Sequence, residues 1–319
     1  MITAKSDMRD MYLLMLQIRN VEEKIAFLVR NDLVRGFTHQ YIGEEAIATG
    51  ICHHLRKQDY LSTTHRGHGH SLAKCRDLKG LLAEMLAKEA GYCKGKGGSM
   101  HLAETKSGNL GANGIVGGGL PVAVGAALAI KYQGLDNVVV AFFGDGASNQ
   151  GLFHESINFA AVNDLPVLFA CENNLYGEYF PVEKAMRVKH IADRAAAYGI
   201  RGITVDGNDL NAVYDTAQAE IEKLRRGEGP VLVEFLTYRH RGHSVNDPAP
   251  YKKPGEQEAW LEKCPIKRFG AYMLENGFTE QELAQIRQES QDSVEEALKF
   301  ALAAPFPAVS DAMAGVYAE

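Results

Sequence analysis

Two uninterrupted apolar runs, each ending in a short polar motif, constrain the fold of this chain more than any other feature. Asn137 to Phe143 (NVVVAFF) ends at Gly144-Asp145-Gly146, and Pro166 to Cys171 (PVLFAC) ends at Glu172-Asn173-Asn174. A run with no polar alternation is what a strand covered on both faces requires. Between them, about Leu152 to Val162 carries Phe153, Ile157, Phe159 and Ala160 as an apolar stripe, and Asn163-Asp164-Leu165-Pro166 closes that helix. The pattern predicts a strand-helix-strand unit. Such units cross over right-handed, which makes the strands parallel and brings both polar motifs to the carboxyl edge, where open α/β sheets bind ligands. The expected fold class is therefore α/β, a parallel sheet flanked by helices.

If the two strands are neighbours, Asp145 and Asn174 lie only one or two spacings of about 4.8 Å apart. That suits one shared ion. Magnesium takes roughly six oxygens, few from protein and the rest from phosphate and water. An Asp carboxylate, an Asn amide oxygen, a nearby backbone carbonyl, two phosphate oxygens and a water complete such a set. A helix beginning after Gly146 would turn its free N–H groups toward the same anion. A lone Gly-Asp-Gly is ordinarily just a turn. The strand before it, the helix after it and Asn-Asn at the second strand end favour a magnesium-diphosphate site.

At these residues the chain resembles thiamine-diphosphate enzymes, whose magnesium-diphosphate motif starts with Gly-Asp-Gly and ends in Asn-Asn just under thirty residues later. Further blocks follow in fixed order: Gly36 to Ala46 (GFTHQYIGEEA), Ser62 to His70 (STTHRGHGH), Gly95 to His101 (GKGGSMH) and Gly111 to Gly117 (GANGIVG). Together they resemble the α-subunit of the decarboxylating component of pyruvate, acetoin and branched-chain 2-oxo acid dehydrogenase complexes, from about Met8 to the C-terminus. The resemblance implies a thiamine-diphosphate-binding fold. It implies Asp145, Asn174 and the backbone carbonyl of Tyr176 as Mg2+ ligands, with Gly146 and Ala147 contacting the diphosphate through main-chain N–H groups. Arg66 would pair with phosphate oxygens through its forked guanidinium. Gly114 and Val116 would hold the aminopyrimidine, and His39 and His243 would face substrate and the thiazolium carbon. His65 stands where some relatives have a tyrosine and is carried over as a cofactor contact.

The same resemblance implies a division of labour. The glutamate that activates the aminopyrimidine comes from a separate β-subunit in this family, and no residue here is assigned to that role. An α2β2 heterotetramer delivering its acyl group to a lipoyl-bearing acyltransferase core is expected. His65 to His70 and Leu110 to Gly119 look most like acetoin dehydrogenases, whereas Gly242 to Pro248 (GHSVNDP) looks more like the pyruvate enzymes. Both substrates yield an acetyl group. Branched-chain substrates, a transketolase-like subunit and a non-catalytic assembly subunit are the alternatives.

Other segments stay open on residues alone. His65, His68 and His70 superficially resemble a metal cluster, but no carboxylate or cysteine completes a zinc site, and the setting reads as a Gly-rich loop in which His68 and His70 order the chain. Lys94 to His101 has glycines that permit close approach and lysines that favour an anion, yet lacks the Gly-Lys-Ser/Thr ending of a phosphate loop. A flexible surface loop is the equal reading. The Ala-rich helix predicted over Leu120 to Tyr132 suits tight helix packing as well as cofactor contact. Tyr238 to Pro248 follows the strand-like Pro230 to Leu236 (PVLVEFL) and so reaches the same rim.

With 319 residues and a net charge of −6, the chain can bury one large α/β core, and nucleic acid is not expected as a main partner. Strand and helix patterns alternate without a Pro/Ser linker, so one domain spanning 1–319 is expected, helical from about residue 256. Its five cysteines show no CxxC spacing, which suggests neither a disulfide framework nor a zinc ribbon. The N-terminal segment reads as an amphipathic helix with acidic residues, and no apolar run approaches a membrane span. A cytoplasmic location follows. Thr279 to Glu282 forms a capping box, with Leu283, Ile286, Val294, Leu298 and Ala301 as the buried face of the helix it starts.

Overall fold

The strand-helix-strand unit predicted from the two apolar runs lies at the centre of a five-stranded parallel sheet in the computed structural model, which describes residues 1–313. Residues 314–319, the end of the expected domain, lie outside the described residues. The strands in chain order are β1 (Tyr60–Ser62), β2 (Val139–Gly144), β3 (Val167–Asn173), the hairpin pair β4 (Tyr176–Gly177) and β5 (Phe180–Pro181), β6 (Arg201–Asp206) and β7 (Val231–Leu236). The main sheet has the order β1-β2-β3-β7-β6, every pairing parallel, and β2 and β3 are direct neighbours with Gly144 opposite Glu172. Asp145 and Asn174 thus leave adjacent strands.

The continuous apolar runs reflect burial on both faces. Along β2, Val140 and Phe142 enter one core while Val139, Ala141 and Phe143 enter the other, and β3 divides the same way. Helices α1 (Lys5–Arg30), α2 (Glu45–His53), α3 (His68–Cys75) and α4 (Leu78–Met85) contribute to the first core, whereas α5 (Gly119–Gln133) and α6 (Gly151–Val162) cover the opposite face. The four-residue α7 (Val182–Ala185) follows the hairpin, and α8 (Leu210–Arg225) adds Val213, Ala217, Ile221 and Leu224 to the first core. Each large side chain buried here contributes about 1.5–3 kcal/mol.

The C-terminal part is helical from residue 256 onward: α9 (Glu256–Leu261), α10 (Pro265–Glu275) and α11 (Glu280–Ala303). The Thr279 hydroxyl accepts from the Glu282 N–H at 3.2 Å, and the Glu282 carboxylate accepts from the Thr279 N–H at 2.7 Å, closing the expected capping box. Its predicted apolar face is buried against this same chain: Val294, Leu298 and Ala301 join the main core, and Leu283 and Ile286 join a satellite around α1 and α10. Among the described residues no helix is long and apolar enough to cross a membrane.

The two edges of the sheet differ. At the amino edge, Arg225 forks onto the buried Asp59 carboxylate at 3.0 and 2.6 Å, and Asp59 also accepts from the Val138 and Arg56 N–H groups. One carboxylate therefore ties the starts of β1 and β2 to the end of α8. The carboxyl edge instead opens into a cavity.

Candidate active site

The loops that follow β1, β2, β3 and β7 converge on a cavity of about 550 Å³. All eleven residues singled out from the sequence, His39, His65, Arg66, Gly114, Val116, Asp145, Gly146, Ala147, Asn174, Tyr176 and His243, line it. Their origin in so many loops is what the carboxyl edge of a parallel sheet allows.

Asp145 is buried at the end of β2, and burial pushes its carboxyl up to about 6 although Arg239 opposes the shift. Across from it, the two asparagines diverge. The Asn173 side chain donates to Glu234 at 2.7 Å on a neighbouring strand, while the Asn174 side chain donates to Glu44 at 3.2 Å. Asn174 Oδ1 is buried with no partner among the described residues. The chain then turns sharply, with Leu175 at φ 74° and Glu178 at φ 56°, backbone that bulky residues adopt only under constraint. That turn directs the Tyr176 carbonyl to Arg239, which donates to it at 2.9 Å. Gly146 packs closely against the hairpin, since a Cβ there would lie 3.1 Å from the Gly177 Cα, a tight contact.

One local expectation is corrected. Asp145–Asn149 form a short 3₁₀ turn, and α6 begins only at Gly151, so the helix proper starts a turn further from the rim than a helix beginning after Gly146. Gly146 and Ala147 belong to that 3₁₀ turn.

His39, His65 and His243 meet over the cavity. Their rings lie edge-on at 4.6 Å (His39 to His65) and 4.7 Å (His39 to His243), and their ligand-capable atoms all fall within 4.8 Å of one another. Burial first, and the Arg66 guanidinium second, lower His39 to about 3, His65 to about 2 and His243 to about 4. The three rings are neutral at pH 7. The cationic field that drives protons off them would also repel a metal ion, so the cluster suits a neutral or anionic guest better than a cation. Arg66 is buried and donates to the Gln40 carbonyl at 2.5 Å and the His243 carbonyl at 3.0 Å, while burial and Arg239 lower it to about 10.

These shifts carry a signed expectation. An unfolded histidine takes up a proton near 6.5 and the folded ring does not, so the stability these rings contribute is present above that value and lost as pH falls toward 4. The melting temperature of the chain should fall between pH 7 and pH 5, and His65→Gln should shallow that fall. An unchanged slope in the variant would show that His65 titrates normally.

His68 and His70 lie in α3, a helix where a Gly-rich loop was expected. Both are buried, and their ring nitrogens are taken by protein. His68 pairs with Glu22 at 3.0 Å and Ser99 at 2.9 Å, and His70 with Thr63 at 2.7 Å and Glu172 at 2.9 Å, its ring stacked on Phe142. The Lys94 to His101 segment also has a fixed role. The buried Glu84 carboxylate accepts from the N–H groups of Cys93 (2.8 Å), Gly95 (2.9 Å), Gly97 (2.7 Å) and Gly98 (3.1 Å). The anion this glycine loop wraps is the chain's own, and the loop presents Ser99 to His68 and Met100 to the cavity.

A model of the family described as dehydrogenase E1 component matches residues 14–310. The chain belongs to this family. It is thus a dehydrogenase component, an oxidoreductase, and membership implies thiamine diphosphate as cofactor. The chain is similar to the α-subunits of acetoin:2,6-dichlorophenolindophenol oxidoreductase from Bacillus subtilis, 49% identical over 96% of this chain and 92% of the relative, and from Cupriavidus necator, 42% identical over 98% and 95%. It is also similar to the pyruvate dehydrogenase E1 component subunit alpha of Rhizobium meliloti, 42% identical over 97% and 89%.

The residues of this E1-family site fit an anionic cofactor bound through a cation. Among the described residues, Asp145 is a carboxylate buried without an ion pair, Asn174 Oδ1 and Glu44 Oε2 are buried acceptors without donors, and Arg239 Nε is a buried donor without an acceptor. Sequence reasoning missed three contributors. Arg239 and Glu172 line the cavity, and Glu44 does so from the loop before α2. Burial and the nearby Glu172 push the Glu44 carboxyl well above the usual range. Glu44 and Arg239 stood inside the quoted motifs, and their roles depend on partners far away in sequence.

Proposed function

We propose that this chain is the α-subunit of a thiamine-diphosphate-dependent acetoin or pyruvate dehydrogenase, acting as one domain within an α2β2 assembly that passes an acetyl group to a lipoyl-bearing acyltransferase. The observation that carries the reading is the buried Asp145 carboxylate beside the unpartnered Asn174 Oδ1 on adjacent strand ends, facing two guanidinium groups and three neutral imidazoles. Asp145, Asn174 and the Tyr176 carbonyl would hold magnesium, an all-oxygen set of the kind that cation takes. Arg66 and Arg239, which line the same cavity, would pair with the diphosphate, and Gly146 and Ala147 would meet it through their backbone N–H groups. Gly114 and Val116 border the ring end, and Val116 stands 46% exposed at the cavity mouth.

When bound, thiamine diphosphate supplies the carbanion chemistry that cleaves a bond next to a carbonyl. The chain's own part is to bind, orient and move protons. His39 and His243 each hold a buried Nδ1 without a partner among the described residues, and both are neutral at pH 7. A neutral imidazole accepts the hydroxyl proton of a hydroxyketone such as acetoin. The carboxylate of a 2-oxo acid would instead meet Arg66 or Arg239. The names of the relatives support both substrates, and a cytoplasmic location goes with the same proposal.

The test is dye reduction by the chain co-purified with its partner subunit. Acetoin or pyruvate should give turnover that depends on magnesium and thiamine diphosphate. Turnover with branched-chain 2-oxo acids or xylulose phosphate alone would overturn the substrate reading. A complete assembly inactive on all of them would point to a non-catalytic subunit.

A further inference from the structure

Asn174 presents a question that the metal reading leaves open: what makes its amide offer oxygen rather than nitrogen to the cavity? The two ends of an amide are almost the same size, and only hydrogen bonding decides between them. The Asn174 nitrogen donates to Glu44 Oε1 at 3.2 Å. Its Oδ1 is left buried and without a partner among the described residues, on a side chain that lines the cavity.

Glu44 is well placed for such a role. It is fully buried at the residue before α2, and its backbone is fixed at both ends, its N–H donating to Tyr41 and its carbonyl accepting from Ile47. Gly43 ahead of it has φ 108°, and a Cβ there would lie 2.2 Å from the Tyr238 carbonyl, so the loop comes close to the chain after β7. The side chain has little freedom to leave Asn174. With Glu44 replaced by an apolar residue, the amide nitrogen would lose the acceptor that holds it and could turn toward the cavity, where it would repel a cation.

We infer that Glu44 is a positioning residue for the metal: by accepting the Asn174 side-chain N–H it locks the amide with Oδ1 facing the cavity. This rests on the magnesium reading proposed above and assigns Glu44 a role in it without any contact with the ion. Groups that orient a ligand in this way typically change metal affinity by about 10–100-fold when removed.

The experiment titrates Mg2+ at fixed thiamine diphosphate and follows cofactor binding by calorimetry, using the full chain with its partner subunit. Glu44→Leu should raise the Mg2+ concentration for half-saturation about tenfold or more. Glu44→Gln keeps an acceptor oxygen and should stay within about threefold of the parent. The deciding arm is Asn174→Asp, which offers an oxygen whichever way it turns. In that background Glu44→Leu should lose its effect or improve binding. An equal penalty in both backgrounds, or no penalty in the first, overturns the inference, and so does a Glu44→Gln as weak as Glu44→Leu. Asp145→Asn run alongside separates the two levels: if it leaves the Mg2+ response intact, the metal reading fails, whereas a loss there with an indifferent Glu44→Leu sinks the role of Glu44 alone. Thermal melts without metal identify any variant that fails to fold, and the Asn174→Asp pair then supplies the comparison.

Discussion

Asp145→Asn is expected to move cofactor affinity and fold stability in opposite directions. The carboxylate is buried, and burial raises it from 3.8 to about 6, so at pH 7 the chain without metal holds a charge it would be more stable without. For an acid raised on folding, stability is present below the unfolded value and lost as pH climbs through the folded one. Here that window runs from about pH 4 to 6, and a shift of about two units corresponds to about 3 kcal/mol at pH 7. The neutral amide should recover part of this, about 1–3 kcal/mol, and flatten the pH dependence in that window. The same substitution removes the anionic oxygen the cation needs. Thiamine diphosphate affinity in magnesium should fall about 100-fold or more, and the thermal stabilisation that ligand gives the parent should disappear with it. Undiminished affinity by calorimetry would remove Asp145 from the site. A destabilised variant that still binds would reverse both halves of the argument.

This pairing of costs explains which parts of the molecule the sequence displayed. β2, β3 and β7 were legible because burial on both faces makes a central strand read as a near-continuous apolar run, broken in β7 by the buried Glu234, and the polar motifs after β2 and β3 then stood out. β1 and β6 left no such run. Three residues, Tyr60 to Ser62, are too few to show a period, and β6 is an edge strand of the sequence RGITVD in which only Val205 is buried. The α11 capping box was visible because its two partners are three residues apart, in a pattern fixed by helix geometry. Glu44 reaches Asn174 across 130 positions and His70 reaches Glu172 across 102, distances over which no spacing rule operates. His68 and His70 were misplaced for a related reason. Gly67 and Gly69 read as loop residues, yet a Cβ on Gly69 would lie 2.1 Å from the Tyr41 ring, so that glycine serves helix packing.

Glu84 gives the clearest case of function hidden from sequence, and the largest expected loss of stability. A glutamate in the apolar stretch LKGLLAEM has no motif to mark it, and its partners are backbone N–H groups, which every residue type shares. In the fold it is fully buried and collects four of them from the glycine loop. Glu84→Ala would leave those donors buried without an acceptor. With hydrogen bonds to a charged group contributing about 1.5–3 kcal/mol each and acting jointly, a net loss of about 3–5 kcal/mol is expected, a fall in melting temperature on the order of 10 °C. Glu84→Gln should rescue little of it. One end of the amide would aim its own N–H groups at two N–H donors, so a substitution of nearly equal shape exchanges two attractions for two repulsions. The consequence reaches the active site through the same loop, because Ser99 pairs with His68 and Met100 lines the cavity. Hydrogen exchange should show residues 91–98 losing protection before the sheet does. If Glu84→Gln melts within about 1 °C of the parent, the loop is held by its glycines and its packing, and the carboxylate is incidental.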